Sequence, residues 1–270
     1  MPELPEVETS VQAIQEFTDQ RLESIEIYNP NLRWKVDTLA FKHLHGLRVQ
    51  KITRRAKYIL LNIDQSTILI HLGMTGTLRM IDKRSNFYKK HDHVEFIFQD
   101  GKLIFYDPRR FGSVHHIKDS KQHFLLENLG PEPLSNEFNG EYLFHKIKKS
   151  ISPIKNTLMN QKNVVGIGNI YANEILFDAK IRPTRKSKTL TKKDNIKISA
   201  SAKKILKQAI EAGGTTLQDF YQPDGNRGYF KTDLAVYDRA NEKCISCKKE
   251  IIKRIIQSQR ATFFCKKCQI

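Results

Sequence analysis

Apolar residues recur at helical spacing at the start of the chain and then change period. Val7, Val11, Ile14 and Phe17 stand three or four apart, which predicts one amphipathic helix from Pro5 to about Asp19. From Leu22 to Ile117 the pattern becomes strand-like. LESIEIY, LRVQKI, YILLNI, STILIHLG, HVEFIF and KLIFY are short, β-branched or aromatic, and mostly separated by turn residues. Asp100-Gly101 between two of these runs is a strong hairpin signal. Six or more strands with no helix between them predict a β-sandwich or flattened barrel. The stretch LENLGPEPLSNEF (126–138), with Gly130, Pro131 and Pro133, breaks the pattern and reads as a linker. Helical segments follow: EYLFHKIKKS, a short PIKNTLMNQ, NIYANEILFDA, and a long helix after Thr191. Thr191 and Asp194 have the spacing of a capping box, and Gly213-Gly214 ends that helix. The pattern therefore predicts an α+β protein of two domains, the second carrying a terminal hairpin, in three segments. These are an N-terminal helix with a β-sandwich (1–131), a helical domain (132–236) and a cysteine hairpin (237–270).

Charge narrows the class. The 270 residues carry 46 Lys plus Arg against 29 Asp plus Glu, a net charge of +17. An excess of this size fits a polyanionic partner, nucleic acid above all. It is unevenly spread: residues 1–30 hold seven acids and one base, whereas 180–207 hold eleven bases and only Asp194. An acidic start on a basic chain is more consistent with a reactive site than with a uniformly sticky surface. No apolar run approaches the ~20 residues of a membrane span, and no apolar core of a signal peptide follows the acidic first residues. The expectation is a cytoplasmic protein.

Three stretches carry chemistry of their own. Cys244-x2-Cys247-x17-Cys265-x2-Cys268 has the spacing of two knuckles supplying four thiolates to one structural Zn²⁺, and the residues between alternate as a hairpin with its tip near Gln259-Arg260. A closed four-thiolate site leaves no coordination position for catalysis. Gly166-Ile-Gly168-Asn169 opens a helix and can set backbone N–H groups against a phosphate, but it lacks the third glycine of a dinucleotide fingerprint. At the start of the chain, removal of Met1 would make Pro2 a secondary amine beside Glu3, with Glu6 one turn on. An α-amino group titrates at about 7.7–8 against about 10.4 for lysine, so far more of it is neutral and nucleophilic at pH 7. Such an amine can attack a sugar C1′ to give an iminium while a carboxylic acid protonates the ring oxygen. Read alone, the same residues also suit a plain helix start.

The string MPELPEVET, with RRAKY (54–58), HLGMTG (71–76), KHDH (90–93), DPRRFG (107–112), NVVGIGNIYANE (163–174) and the R-A-T-F context of Arg260, resembles the formamidopyrimidine-DNA glycosylase family from end to end. The resemblance implies a helix–two-turn–helix domain with a zinc-finger hairpin. It also implies a bifunctional DNA glycosylase and AP lyase that removes 8-oxoguanine and formamidopyrimidines from double-stranded DNA. On it Pro2 is the nucleophile, Glu3 the acid, and Lys57 a helper in proton transfer, while Arg260 contacts the phosphates flanking the lesion and assists the second elimination. Met74 and Phe111 match wedges that fill the gap left by a flipped nucleotide, an event that costs stacking. Arg109 matches the group that pairs with the orphaned base. His91, Lys155 and Asn169 match DNA-holding positions. Leu4 favours the purine branch over the oxidised-pyrimidine relatives that start PEGPE. A non-catalytic zinc-ribbon DNA-binding protein would share the charge and cysteines but gives no reason for the acidic start beside Pro2. One zinc per chain, oxidised or abasic duplex DNA as partner, and a monomeric state complete the expectations.

Overall fold

The computed structural model describes residues 2–64, 66–85, 88–118, 123–214 and 234–270. They form two compact units, one of 2–127 with 213–214, the other of 128–212 with 234–270.

In the first unit, helix α1 (Leu4–Ala13) runs on into a single 3-10 turn, Ile14–Phe17. The Glu3 N–H donates to Glu6 Oε2 at 2.8 Å in a capping box, and Pro5 in the first turn needs no partner for a missing N–H. Val7, Val11, Ile14 and Phe17 are all buried, contributing on the order of 1.5–3 kcal/mol each. Eight strands follow: β1 (Leu22–Ile27), β2 (Val49–Arg55), β3 (Tyr58–Ile63), β4 (Ser66–His71), β5 (Thr77–Asp82), β6 (Asp92–Phe98), β7 (Gly101–Tyr106) and β8 (Ser113–Ile117). They make two antiparallel four-stranded sheets, ordered β2-β3-β4-β8 and β1-β6-β7-β5. One apolar core joins them, running from Val7 on α1 through Ile59 and Ile70 to Phe96, Phe98 and Phe105. Phe17 caps that core against Phe98, ring centroids 4.6 Å apart.

The hydrophobic pattern did not predict β5 or β8. Arg79 in β5 lies inward and only 7% exposed, so a charge stands where alternation expects an apolar residue. The strand β8 is five residues long and carries His115 and His116 at its centre. Such a strand reads as polar until its neighbours are known.

The second unit holds α2 (Gly140–Ile147), α3 (Ile154–Met159), α4 (Asn169–Asp178) and α5 (Lys192–Glu211), followed by the hairpin β9 (Lys253–Gln257) and β10 (Arg260–Phe264). Asn139 caps α2 by accepting from Tyr142 N. Thr191 Oγ1 accepts from Asp194 N at 3.1 Å and Asp194 Oδ2 from Thr191 N at 3.0 Å, the capping box expected of α5. Gly140 lets α2 close on α5, since a Cβ there would lie 2.5 Å from Ile196 Cα. The Gly-Pro stretch near 130 packs onto this unit: Gly130 N donates to Gln161 O and Val165 N to Pro131 O. No helix among the described residues is long and apolar enough to cross a membrane.

Candidate active site and nucleic-acid interface

Pro2 and Glu3 are both buried at the head of α1, Glu3 to 2% exposure. Glu6 is fully buried, its carboxylate holding the Glu3 backbone, so the acid next to Pro2 is fixed from below. Gly214, at φ +84°, comes against Glu6: a Cβ there would lie 3.2 Å from Oε1. Lys57 sits in the two-residue turn Ala56–Lys57 joining β2 to β3, since Arg55 pairs with Tyr58. Ala56 takes φ +55°, a conformation an alanine holds only when its surroundings impose it. They do so through Arg54, which donates to Ala56 O at 2.9 Å and pairs with Glu8 at 2.7 Å. That ion pair sets the turn carrying Lys57 alongside the first half of α1.

His71, a residue the motif contained but the sequence reading did not single out, ends β4 opposite Tyr58. The two rings lie 5.0 Å apart. Burial first, then the Lys57 ammonium and the Arg33 guanidinium beside it, lower its pKa to about 4. It is therefore neutral at pH 7, and because Nδ1 accepts from Gly73 N at 3.1 Å, the proton rides on Nε2.

The loops HLGMTG and DPRRFG meet backbone to backbone. At Gly73, φ +65°, a Cβ would fall 2.4 Å from both Phe111 C and Gly112 N. The buried Asp107 carboxylate ties them: Oδ1 accepts from Thr75 Oγ1 at 2.6 Å, Oδ2 from Gly112 N at 2.8 Å. On this base stand Met74, 40% exposed, and Phe111, 44% exposed, with the Arg109 guanidinium 4.8 Å over the Phe111 ring. A Met and a Phe held in solvent by a rigid base are not core residues. His91 is half-buried and meets Tyr106 edge-on at 5.9 Å. His93 instead bonds Asp107 O through Nε2 at 2.7 Å and braces the loop.

In the second unit α3 and α4 grip the hairpin. The turn Ser258–Gln259 has φ +45° and +61°, the signs of a type I′ hairpin, and Arg260 follows it, exposed. Asn156 Nδ2 donates to Ser258 Oγ at 2.8 Å, and Asn173 Oδ1 accepts from Phe263 N at 2.8 Å while Nδ2 donates to Asn169 O. Lys155 is fully buried, donating from Nζ to Ala261 O at 2.8 Å and Thr262 Oγ1 at 2.7 Å. The resemblance implied a lysine holding the DNA backbone; the structure gives its head to β10. Asn169 opens α4 and is half-buried, with its Oδ1 enclosed and unpaired among the described residues. Glu174, which sequence reasoning passed over, accepts from Ala235 N, Val236 N and Tyr237 N at 2.8, 3.0 and 2.8 Å. Burial raises its pKa against the pull of these three donors.

The four cysteines converge, all Sγ atoms lying within 4.8 Å of one another. Cys244 and Cys268, and Cys247 and Cys265, are each 3.8 Å apart. A tetrahedron with metal–sulfur bonds of about 2.3 Å has edges of about 3.8 Å, so the set fits one ion and is too open for disulfides. Backbone N–H groups of Glu250 and Lys249 pull Cys247 down to about 6, while burial pushes Cys265 up to about 12. The loop 217–230 after α5 lies outside the described residues.

The first unit thus carries a buried carboxylate beside Pro2, a lysine turn and two exposed apolar side chains, and the second a four-thiolate hairpin; the comparisons with known proteins give their class, a DNA glycosylase. The formamidopyrimidine-DNA glycosylase N-terminal domain matches residues 1–114 and the formamidopyrimidine-DNA glycosylase H2TH domain matches 129–221. Formamidopyrimidine-DNA glycosylases of Hydrogenovibrio crunogenus and Legionella pneumophila are 47% and 46% identical, over 100% of this chain and 96% and 98% of theirs. Among solved structures, the MutM (Fpg) protein of Thermus thermophilus matches with TM-score 0.88 at 34% identity, covering 99% of this chain and 98% of that one. Lactococcus lactis Fpg in complex with DNA containing an abasic site matches with TM-score 0.89 at 35% identity, covering 99% of both chains. The chain belongs to the formamidopyrimidine-DNA glycosylase family.

Proposed function

We propose that this DNA-repair glycosylase excises oxidised purines, 8-oxoguanine and formamidopyrimidines, from duplex DNA and then cleaves the strand as an AP lyase. The observation that carries the reading is Pro2 and Glu3 buried together at the head of α1, with the Lys57 turn clamped beside that helix by Arg54 and Glu8. With Met1 removed, the Pro2 nitrogen attacks C1′ and the C1′–base bond breaks. Glu3 gives a proton to the ring oxygen, so the sugar opens and the nitrogen lone pair forms the iminium. Loss of a C2′ proton expels the 3′ phosphate, a second elimination expels the 5′ phosphate, and water releases Pro2. Lys57 supports the proton transfers, and neutral His71 beside it offers Nε2–H as a donor without adding a further cation.

Met74 and Phe111 fill the space of the flipped nucleotide, Arg109 meets the base left opposite, and His91, Asn169 and Arg260 hold the backbone. Cys244, Cys247, Cys265 and Cys268 hold one Zn²⁺, which fixes the hairpin and takes no part in the chemistry. The setting is the bacterial cytoplasm and the working form a monomer on DNA.

Borohydride reduction during turnover tests the nucleophile. It should give a stable protein–DNA adduct that peptide sequencing maps to Pro2, and a blocked N-terminus should remove both activities while DNA binding persists. An adduct at Lys57, or normal excision by the blocked protein, overturns the assignment.

A further inference from the structure

The segment that presents His91 is built around a buried charge pair. Asp92 is fully buried, and both its carboxylate oxygens lie within reach of Arg79 Nη2, at 2.6 and 2.5 Å. Its Oδ2 also accepts from Lys89 N at 2.7 Å, and its own N–H donates to Lys89 O at 2.9 Å. The turn 89–92 is thereby closed twice, with His91 at its third position. Tyr88 O–H donates to Asp92 O, closing the segment from the near side. Beyond the turn, His91 O accepts from Asp107 N at 3.0 Å, and the His91 ring stands edge-on to Tyr106. The Arg79 guanidinium carbon lies 5.8 Å from the centroid of the Tyr106 ring. A register shift between Asp92 and Val94 bends β6 at this point, the kind of bulge that re-aims a side chain.

We propose that the Arg79–Asp92 pair is a positioning device that fixes the placement of the His91 imidazole. Sheet stability alone is a poor reason for the pair, because an apolar pair of similar volume serves a sheet as well or better. What an apolar pair lacks is the carboxylate that closes the turn on Lys89 N. The neighbouring buried charges are already matched: Glu95 pairs with Lys102 at 2.9 Å and accepts from Tyr28 O–H. Lys102, the neighbouring cation, is thereby committed to Glu95 and does not replace Arg79 at Asp92. The same strand end passes the constraint on, because Asp107 follows directly from its bond to His91 O and anchors the loop of Arg109 and Phe111. The proposal rests on His91 being a DNA contact only for its consequence, not for the placement itself.

Two measurements separate these. Without DNA, the His91 imidazole resonances carry a ring-current shift from Tyr106. In Arg79→Lys and Asp92→Asn they should move to the positions of an exposed histidine; unmoved resonances overturn the proposal. The double variant Arg79→Met with Asp92→Leu removes both charges and the acceptor for Lys89 N, should remain folded, and should move them too. With a short lesion duplex, each single variant should weaken binding by the same factor as His91→Ala, about tenfold for one lost charge-assisted contact, with the saturated single-turnover rate unchanged. Asp92→Asn combined with His91→Ala should bind no more weakly than His91→Ala alone. Additive losses, or a lower saturated rate at unchanged affinity, overturn it. Moved resonances with normal binding by His91→Ala would refute the DNA contact and leave the placement standing.

Discussion

His71 is a base held neutral by burial and then by two nearby cations, and that has a cost in acid. The unfolded imidazole titrates near 6.5 and the folded one near 4, so between these values the unfolded chain binds the extra proton. Stability is full above pH ~6.5 and falls as pH drops toward 4, by on the order of 3 kcal/mol. His71→Gln should flatten this leg of a plot of denaturation midpoint against pH; an unchanged slope would assign the acid sensitivity elsewhere. Met74 and Phe111 make the opposite test. Each changed to Ala should leave the melting temperature nearly where it was, because exposed side chains change stability by about 0.5 kcal/mol or less, whereas a buried Phe costs roughly 3–5. Excision from duplex DNA should fall in both. The motifs drew attention to these two residues in the sequence, and the fold adds that both are exposed. They could not give away His71, whose behaviour depends first on its burial and then on Lys57 and Arg33 arriving from other parts of the chain.

The hairpin β9–β10 is held at both ends by different chemistry, thiolates at one and α3–α4 side chains at the other. Cys265→Ser should lose the metal, measured as about one Zn per chain in the parent, and lose DNA affinity with it. Lys155→Met keeps the buried stem but leaves Ala261 O and Thr262 Oγ1 short of a donor, at about 1–3 kcal/mol. A melting temperature unchanged in that variant would return Lys155 to the solvent. Alternation and paired CxxC spacing made the hairpin legible from sequence. Its registration was not, because Asn156, Asn173 and Glu174 look like ordinary polar helix residues until their partners 61 to 102 positions away are in place. The strand β5 was hidden for the related reason that its buried charge finds its partner only in β6.

Over the whole chain, several of the bases behind the net charge of +17 have partners within the fold. Of the bases in 180–207, Arg182 and Arg185 bond carbonyls of the last residues, Lys192 and Lys204 pair with Glu141 and Asp178, and Lys203 donates to Ser135 O. The part of the charge that meets DNA should show in salt dependence. Arg260→Ala should make the slope of log affinity against log salt shallower by about 0.9, the value for one phosphate contact, whereas buried Lys155→Met should leave it unchanged. Equal slopes for Arg260→Ala and the parent would remove Arg260 from the backbone. Composition announced a polyanion partner; it could not say which lysines are spent on folding. The contact at Gly73 reaches further than the site it supports. Since its Cα lies against the backbone of Phe111–Gly112, the two loops are one heritable unit. A segment exchanged from a relative in one loop alone would arrive without its counterpart, and chimeras should work only when residues 71–76 and 107–112 are moved together.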